Sequence, residues 1–280
     1  MIRRALIAFA VVMGSVRPAL PQATVSVHLT LGNPSQAKAD PGSPNNYLVL
    51  HDQWAASWNC SKGHPNWVSW RLCADDAGDA DRTDVRFEPD SSLPNAFPKI
   101  IKGLYGGYGY DLGHICPSGD RSSRIADLRA TFLTTNCFPQ APALNRGTWR
   151  QMEAYRRRRA CDEGQELYVI SGPAGTAGRG ETGYRTTIGD DSRRVNVPAL
   201  CWAIWVELPD RKGNDLERID RETIVYAVIF NNGQDPPQNW RQAHTTIAEI
   251  EQLTEFDFLS ELDRKLQRTL ESQKPALDAE

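Results

Sequence analysis

Absences narrow this chain first. Its 280 residues include only five histidines and three methionines. No two of its cysteines stand in a Cys-x-x-Cys spacing, so a structural zinc site has little support. Beyond the first two dozen residues no apolar run approaches the roughly 20 residues needed to cross a bilayer, and no membrane partner is expected. There is no internal repeat. Positive charge is not in excess either: 32 Lys and Arg face 35 Asp and Glu, a formal net charge of −3. No overall basic field therefore draws a polyanion, and contact with nucleic acid would need a local basic surface. The hydrophobic fraction of 40% excludes global disorder.

What is present begins with an export pattern. Arg3 and Arg4 precede an apolar run over residues 5–16, followed by Pro18, Pro21 and Ala23. That order reads as a signal peptide over residues 1–23, leaving one domain over 24–280 in a secreted or periplasmic protein; a buried N-terminal helix or strand is the alternative. The six cysteines (Cys60, Cys73, Cys116, Cys137, Cys161 and Cys201) suit an oxidising compartment and are expected to form disulfides, whose connectivity spacing does not choose.

Along the chain, residues 30–46 are rich in Gly, Pro, Asn and Ser and read as an irregular lead-in. Strands are expected at 47–51 and 66–73, joined by the turn-rich "NCSKGHP", and again at 129–138, 166–172, 197–208 and 223–231. Residues 74–86 read as a surface loop. A helix is expected over 143–161, with Leu144, Trp149, Met152 and Tyr155 as its apolar stripe, and helical pattern returns over 246–273 with a break near "TEFDFL". Mixed elements without regular βαβ alternation predict an α+β fold around a central, mostly antiparallel sheet flanked by helices.

Three clusters could carry chemistry. In "GYDLGHICPSGDRS" (109–122), His114 ends a Gly-rich approach, where an imidazole can serve as a base near neutral pH; Asp111 would orient its neighbours or cap a turn. On the expected helix, Asn145, Trp149 and Glu153 recur at four-residue spacing and share one side. A carboxamide and a carboxylate there suit Mg²⁺, though taken alone an ordinary solvated face with a Glu153–Arg157 pair is the better reading. Four consecutive arginines, 156–159, cannot share a face, so at least one should point at any site formed by Asn145 and Glu153 and could pair with phosphate.

Taken together these segments resemble the DNA/RNA non-specific endonucleases with a ββα-metal, or His-Me, finger. "GYDLGHICPSGDR" is similar to the family's histidine motif, usually Asp-Arg-Gly-His, and "TNCFPQAPALNRGTWRQMEAYRR" (135–157) to its metal helix, with Asn, Trp and Glu in register. "GHPNWVSWRL" (63–72), "FEPDSSLP" (87–94), "VPALCWAIWVELP" (197–209) and "AEIEQLTEFDFL" (248–259) extend the likeness over most of the chain. The resemblance implies a hydrolase cleaving DNA and RNA to 5′-phosphate products. His114 would be the general base and Asn145 the direct ligand of Mg²⁺, with Mn²⁺ as a substitute. Glu153 would hold the metal's waters and Arg157 would contact phosphate. Asn136 would support the metal site, and Arg82 would be an upstream phosphate contact. Cys116 with Cys137 is the disulfide this layout suggests. Some members are homodimers, which nothing in the sequence forces.

Two positions depart from the pattern. Leu112 stands where the family usually carries arginine, and Ala203 where a Trp-Lys pair usually places lysine; leucine can neither donate a hydrogen bond nor offset charge. These departures motivate an alternative, an attenuated relative that binds nucleic acid or another partner without cutting it. A hydrolase using Ser118 or Ser171 lacks a Gly-x-Ser-x-Gly elbow. Cys116, two residues from His114, could share its face as a nucleophile.

Overall fold

The computed structural model describes residues 26–190, 192–209 and 213–274; the expected signal segment lies outside them. The strands are β1 (Tyr47–Leu50), β2 (Ala55–Asn59), β3 (His64–Leu72), β4 (Asp111–His114), β5 (Cys137–Gln140), β6 (Glu166–Ala174), β7 (Gly178–Gly180), β8 (Gly183–Arg185), β9 (Thr187–Asp190), β10 (Arg193–Asn196), β11 (Leu200–Leu208), β12 (Ile224–Asn231) and β13 (His244–Thr245). The helices are α1 (Ile125–Thr131), α2 (Pro142–Leu144), α3 (Arg150–Cys161), α4 (Asp215–Arg218), α5 (Ile247–Thr254) and α6 (Arg264–Glu271). Seven strands form the main sheet in the order β1-β2-β3-β6-β11-β12-β13, every neighbouring pair antiparallel. The α+β expectation holds.

The centre of this sheet is covered on both faces, which is why its strands read as unbroken apolar runs rather than as an alternation with polar residues. Along β11, Cys201, Ala203 and Trp205 point into one core, with Val68, Trp70 and Leu72 of β3. Their neighbours Trp202, Ile204 and Val206 point into a second core with Trp67 and the α5 residues Ile247 and Ile250. The first core also takes in Phe138 of β5 and Trp149 and Met152 of the long helical segment. It is therefore the face on which the His114 and Asn145 segments are assembled.

Several local expectations change. Residues 129–138 are not one strand: the chain is helical to Thr131 and enters β5 only at Cys137. The Arg124–Asp127 ion pair at its first turn and the burial of Leu128 and Thr131 at helical spacing override the β-prone Thr and Phe content. β2 was hidden because "AASWN" is short and fully buried, so it shows no alternation. The helix over 143–161 is interrupted by a π-type turn at Asn145–Trp149, with Gly147 at φ −102°, ψ −112°. The wider turn leaves the Trp149 indole in the first core, where it also stands beside Glu153 and helps hold that carboxyl down. All six cysteines carry free thiols, and the Cys116–Cys137 bridge is not formed.

Candidate active site

β4 and β5 form an antiparallel pair in which His114 faces Cys137 and Asp111 faces Gln140; α2, the π-type turn and α3 follow directly. This strand–strand–helix unit requires close approach. A Cβ on Gly113 would sit 2.3 Å from Gln140 Oε1 and 2.7 Å from Gln140 Cβ, so that position needs glycine, and one on Gly119 would sit 2.9 Å from the Arg157 guanidinium and displace it. Between the unit and the loop at 78–82 lies a cleft of about 530 Å³ lined by Arg82, His114, Asn145, Arg146, Arg150, Glu153 and Arg157 among others. Four arginines and one carboxylate make it the local basic surface that the overall charge of −3 does not advertise.

His114 is held without hydrogen bonding at Nε2. Its ring lies between Phe87 (centroids 4.9 Å) and Phe132 (4.7 Å, edge-on), and Nε2 is buried with no partner. Burial, reinforced by the nearby Arg82 charge, lowers its pKa to about 4, so the imidazole is neutral at physiological pH. Val85, Leu128 and Phe132 form the small apolar cluster beneath this clamp, with Phe87 packed against it.

Across the cleft, Asn145 Nδ2 donates to Asp111 Oδ2 at 2.8 Å, and Arg146 closes on the same carboxylate with Nε–Oδ2 2.9 Å and Nη2–Oδ1 2.5 Å. Asp111 thus fixes the carboxamide through its nitrogen and leaves the oxygen for a ligand. Glu153 stands in the first turn of α3, and burial pushes its carboxyl up to about 7, against the opposing pull of Arg156. A carboxamide oxygen and a carboxylate in one polar cleft are hard donors that fit a hydrated divalent cation.

The arginine run divides four ways. Arg157 lines the cleft but is tied to Asp120, Nη1–Oδ1 2.7 Å, rather than to Glu153. Arg156 is fully buried over the rings of Trp70 and Trp205, at 5.5 and 5.6 Å. Arg158 lies over Tyr155, and Arg159 pairs with Glu207 at 2.7 Å. Asn136 is buried behind His114, accepting from the Cys116 amide (2.8 Å) and donating to the Cys116 and Thr131 carbonyls (2.8 and 2.9 Å). Arg82 is exposed at the cleft, its Nη1 3.5 Å from Ser118 Oγ.

The departures are also placed. Leu112 packs half-buried against the first core, opposite Pro139. Ala203 is buried in that core, on the same face of β11 as the Trp205 ring that Arg156 covers, so Arg156 brings a cation to the layer where the resemblance leads one to expect a lysine. Ser171 is buried at the sheet centre, donating to Trp202 O at 2.7 Å, and burial drives the Cys116 thiol far above its ordinary range. Neither is a nucleophile. Sequence reasoning missed Asp120 and the Phe87–Phe132 clamp. Asp120 stood in the quoted "SGDR", but its contacts span distant segments.

The chain matches the DNA/RNA non-specific endonucleases over residues 31–265. It belongs to that family. A nuclease of Nostoc sp. is 40% identical over 273 residues, covering 96% of this chain and 95% of that protein. Nuclease C1 of Cunninghamella echinulata is 29% identical over 79% of this chain and 86% of its own length. The mitochondrial nuclease EXOG of Mus musculus is 32% identical over 75% of this chain, which spans 56% of that protein. A chain from the solved EndoG/EndoGI complex superposes with a TM-score of 0.68 at 22% identity, covering 89% of this chain and 96% of the other; that likeness is one of fold. This member of a family of metal-dependent nucleases is thus a hydrolytic nuclease acting on nucleic acid, and its ββα unit is the β4–β5–α3 arrangement above.

Proposed function

We propose that the nuclease is an Mg²⁺-dependent endonuclease that cuts DNA and RNA without regard to the sugar, leaving 5′-phosphates. The observation that carries this reading is the neutral, clamped His114 on the wall of the cleft that also presents Asn145, Glu153 and Arg157. Nε2 is sealed among aromatic rings, so Nδ1 is the nitrogen that takes a proton from the attacking water. Asn145 would ligate the cation and Glu153, once ionised, would hold its waters; when bound, the ion offsets charge developing on the scissile phosphate and the leaving 3′ oxygen. Arg157, steered by Asp120, and Arg82 bind phosphate oxygens, contacts that carry no base information. Mn²⁺ would substitute in the same oxygen donors.

Retention of the whole cleft favours cleavage over the alternative of a binder that does not cut. Arg82, Arg146, Arg150 and Arg157 in the cleft offer the positive charge that Leu112 does not. Export of residues 24–280 after removal of a signal peptide, and a homodimeric state, belong to the same proposal and rest on the N-terminal pattern and the family. Plasmid DNA and total RNA incubated with the purified chain test the reading. Degradation of both with Mg²⁺ and of neither with EDTA supports it; cutting in EDTA, or binding without cutting in Mg²⁺, contradicts it.

A further inference from the structure

On the opposite face of the sheet from the cleft, three acidic residues meet where the chain turns between its last two helices. Glu251 comes from α5, Asp257 from the turn and Glu271 from the end of α6, and one carboxylate oxygen of each lies within 4.8 Å of the others. Such a cluster on a solvated surface would be ordinary. This one is not fully solvated: Glu271 is only 7% exposed, and its Oε1 is buried without a hydrogen-bond partner.

The surrounding bonds fix the carboxylates, and Glu271 shares a hydrogen bond with Glu251, whose proton a cation would displace. Phe258 N–H donates to Glu251 Oε1 at 2.9 Å, and Gln267 Nε2 donates to Asp257 Oδ1 at 2.7 Å. The cation beside them is Arg264, 3.4 Å from Asp257, but its side chain is 71% exposed and is screened by solvent. Three converging carboxylates, one of them buried with Oε1 unpaired, are costly unless a proton or a cation sits among them.

We propose that Glu251, Asp257 and Glu271 bind a hard divalent cation of the calcium type, distinct from the metal of the cleft, that ties α6 to α5. The ligands are all oxygen, as such a cation requires. Ca²⁺ takes several carboxylates in a flexible shell, whereas Mg²⁺ usually takes one or two and keeps most of its waters. Three carboxylates that all come within 4.8 Å of one another therefore suit Ca²⁺ better. With three protein ligands and waters completing the shell, the dissociation constant falls on the order of 10⁻⁴ to 10⁻³ M. The site's structural effect is on the second core, where Leu270 of α6 packs with Ile247 and Ile250.

Calcium titration of the metal-stripped full chain by calorimetry tests this, with Asn145→Ala used to silence the cleft. The Asn145→Ala protein is expected to bind one equivalent of Ca²⁺ and to melt at higher temperature in its presence. Adding Glu271→Gln or Asp257→Asn should weaken that binding roughly tenfold or more, while each of these two changes alone leaves Mg²⁺-dependent cleavage intact. Asp257 is half-exposed, so its variant tests the site without threatening the fold. If the Asn145→Ala protein binds no Ca²⁺, or if Asp257→Asn binds it unchanged, there is no site here.

Discussion

Asp120→Ala probes the most consequential contact that pattern reading overlooked. Asp120 is fully buried; it accepts from Trp70 Nε1 at 3.0 Å and from Arg157 Nη1 at 2.7 Å. Removing it leaves a buried indole N–H without an acceptor and a guanidinium, 26% exposed, without its counter-charge. Breaking a buried pair from one side costs about 3–5 kcal/mol. At roughly 2–4 °C per kcal/mol for a domain of this size, the melting temperature should fall by about 6–20 °C. Relief of the repulsion between Asp120 and Glu153, which raises the Glu153 pKa, places the result toward the lower end. Cleavage should fall with it, on the order of 100-fold, because an undirected Arg157 no longer meets the phosphate. Thermal melts by circular dichroism and rates on a short duplex read both effects. The double variant Asp120→Ala, Arg157→Met removes the orphaned charge, so it should regain stability over Asp120→Ala while staying inactive. A loss below about 1 kcal/mol with unchanged cleavage would show that Asp120 neither holds Arg157 nor supports the core.

Three further outcomes follow from the same geometry. Because His114 stays neutral down to about pH 4 while Glu153 ionises near 7, activity at limiting Mg²⁺ should rise with pH through about 7. Saturating Mg²⁺ favours the ionised carboxylate and should move that limb toward 4; a limb fixed near 6.5 at every Mg²⁺ concentration would mean that His114 titrates as an ordinary imidazole. Leu112→Arg should raise cleavage far less than the roughly 100- to 1000-fold that one placed donor is worth, since four arginines already line the cleft; a gain of that full size would mean that they do not act for the missing one. Asn136→Ala deletes three buried hydrogen bonds and should cost about 3 kcal/mol in urea unfolding, and a change below about 1 kcal/mol would remove it from the scaffold of the His114 loop.

What the sequence made legible and what it hid separate along physical lines. β6, β11 and β12 were readable because strands buried on both faces are apolar throughout. Leu144, Trp149 and Met152 were readable as a buried stripe because each is fully covered. The co-location of His114, Asn145 and Glu153 followed from motif spacing, and the cleft holds all three. The interruption at Asn145–Trp149 was hidden, since nothing in "NRGTW" separates a π-type turn from an α turn. The residues 129–138 were misjudged because propensity is local and the packing of Leu128 is not. Ion-pair partners were the least legible: four-residue spacing suggested Glu153 for Arg157, whereas the fold supplies Asp120 from a loop 37 positions away. Cysteine content suggested disulfides, yet the thiols are separately buried or exposed and all are free.

The central claim is that one neutral histidine and one metal held by Asn145 cut the phosphodiester bond. Single-turnover cleavage of a 3′-labelled duplex by the unaltered chain and by His114→Ala, each in Mg²⁺ and in EDTA, tests it most directly. The account predicts products with 5′-phosphate ends from the unaltered chain in Mg²⁺, none in EDTA, and for His114→Ala a rate lower by about 100- to 10,000-fold with Mg²⁺ affinity retained. Undiminished cutting by His114→Ala, or cutting in EDTA, would contradict it.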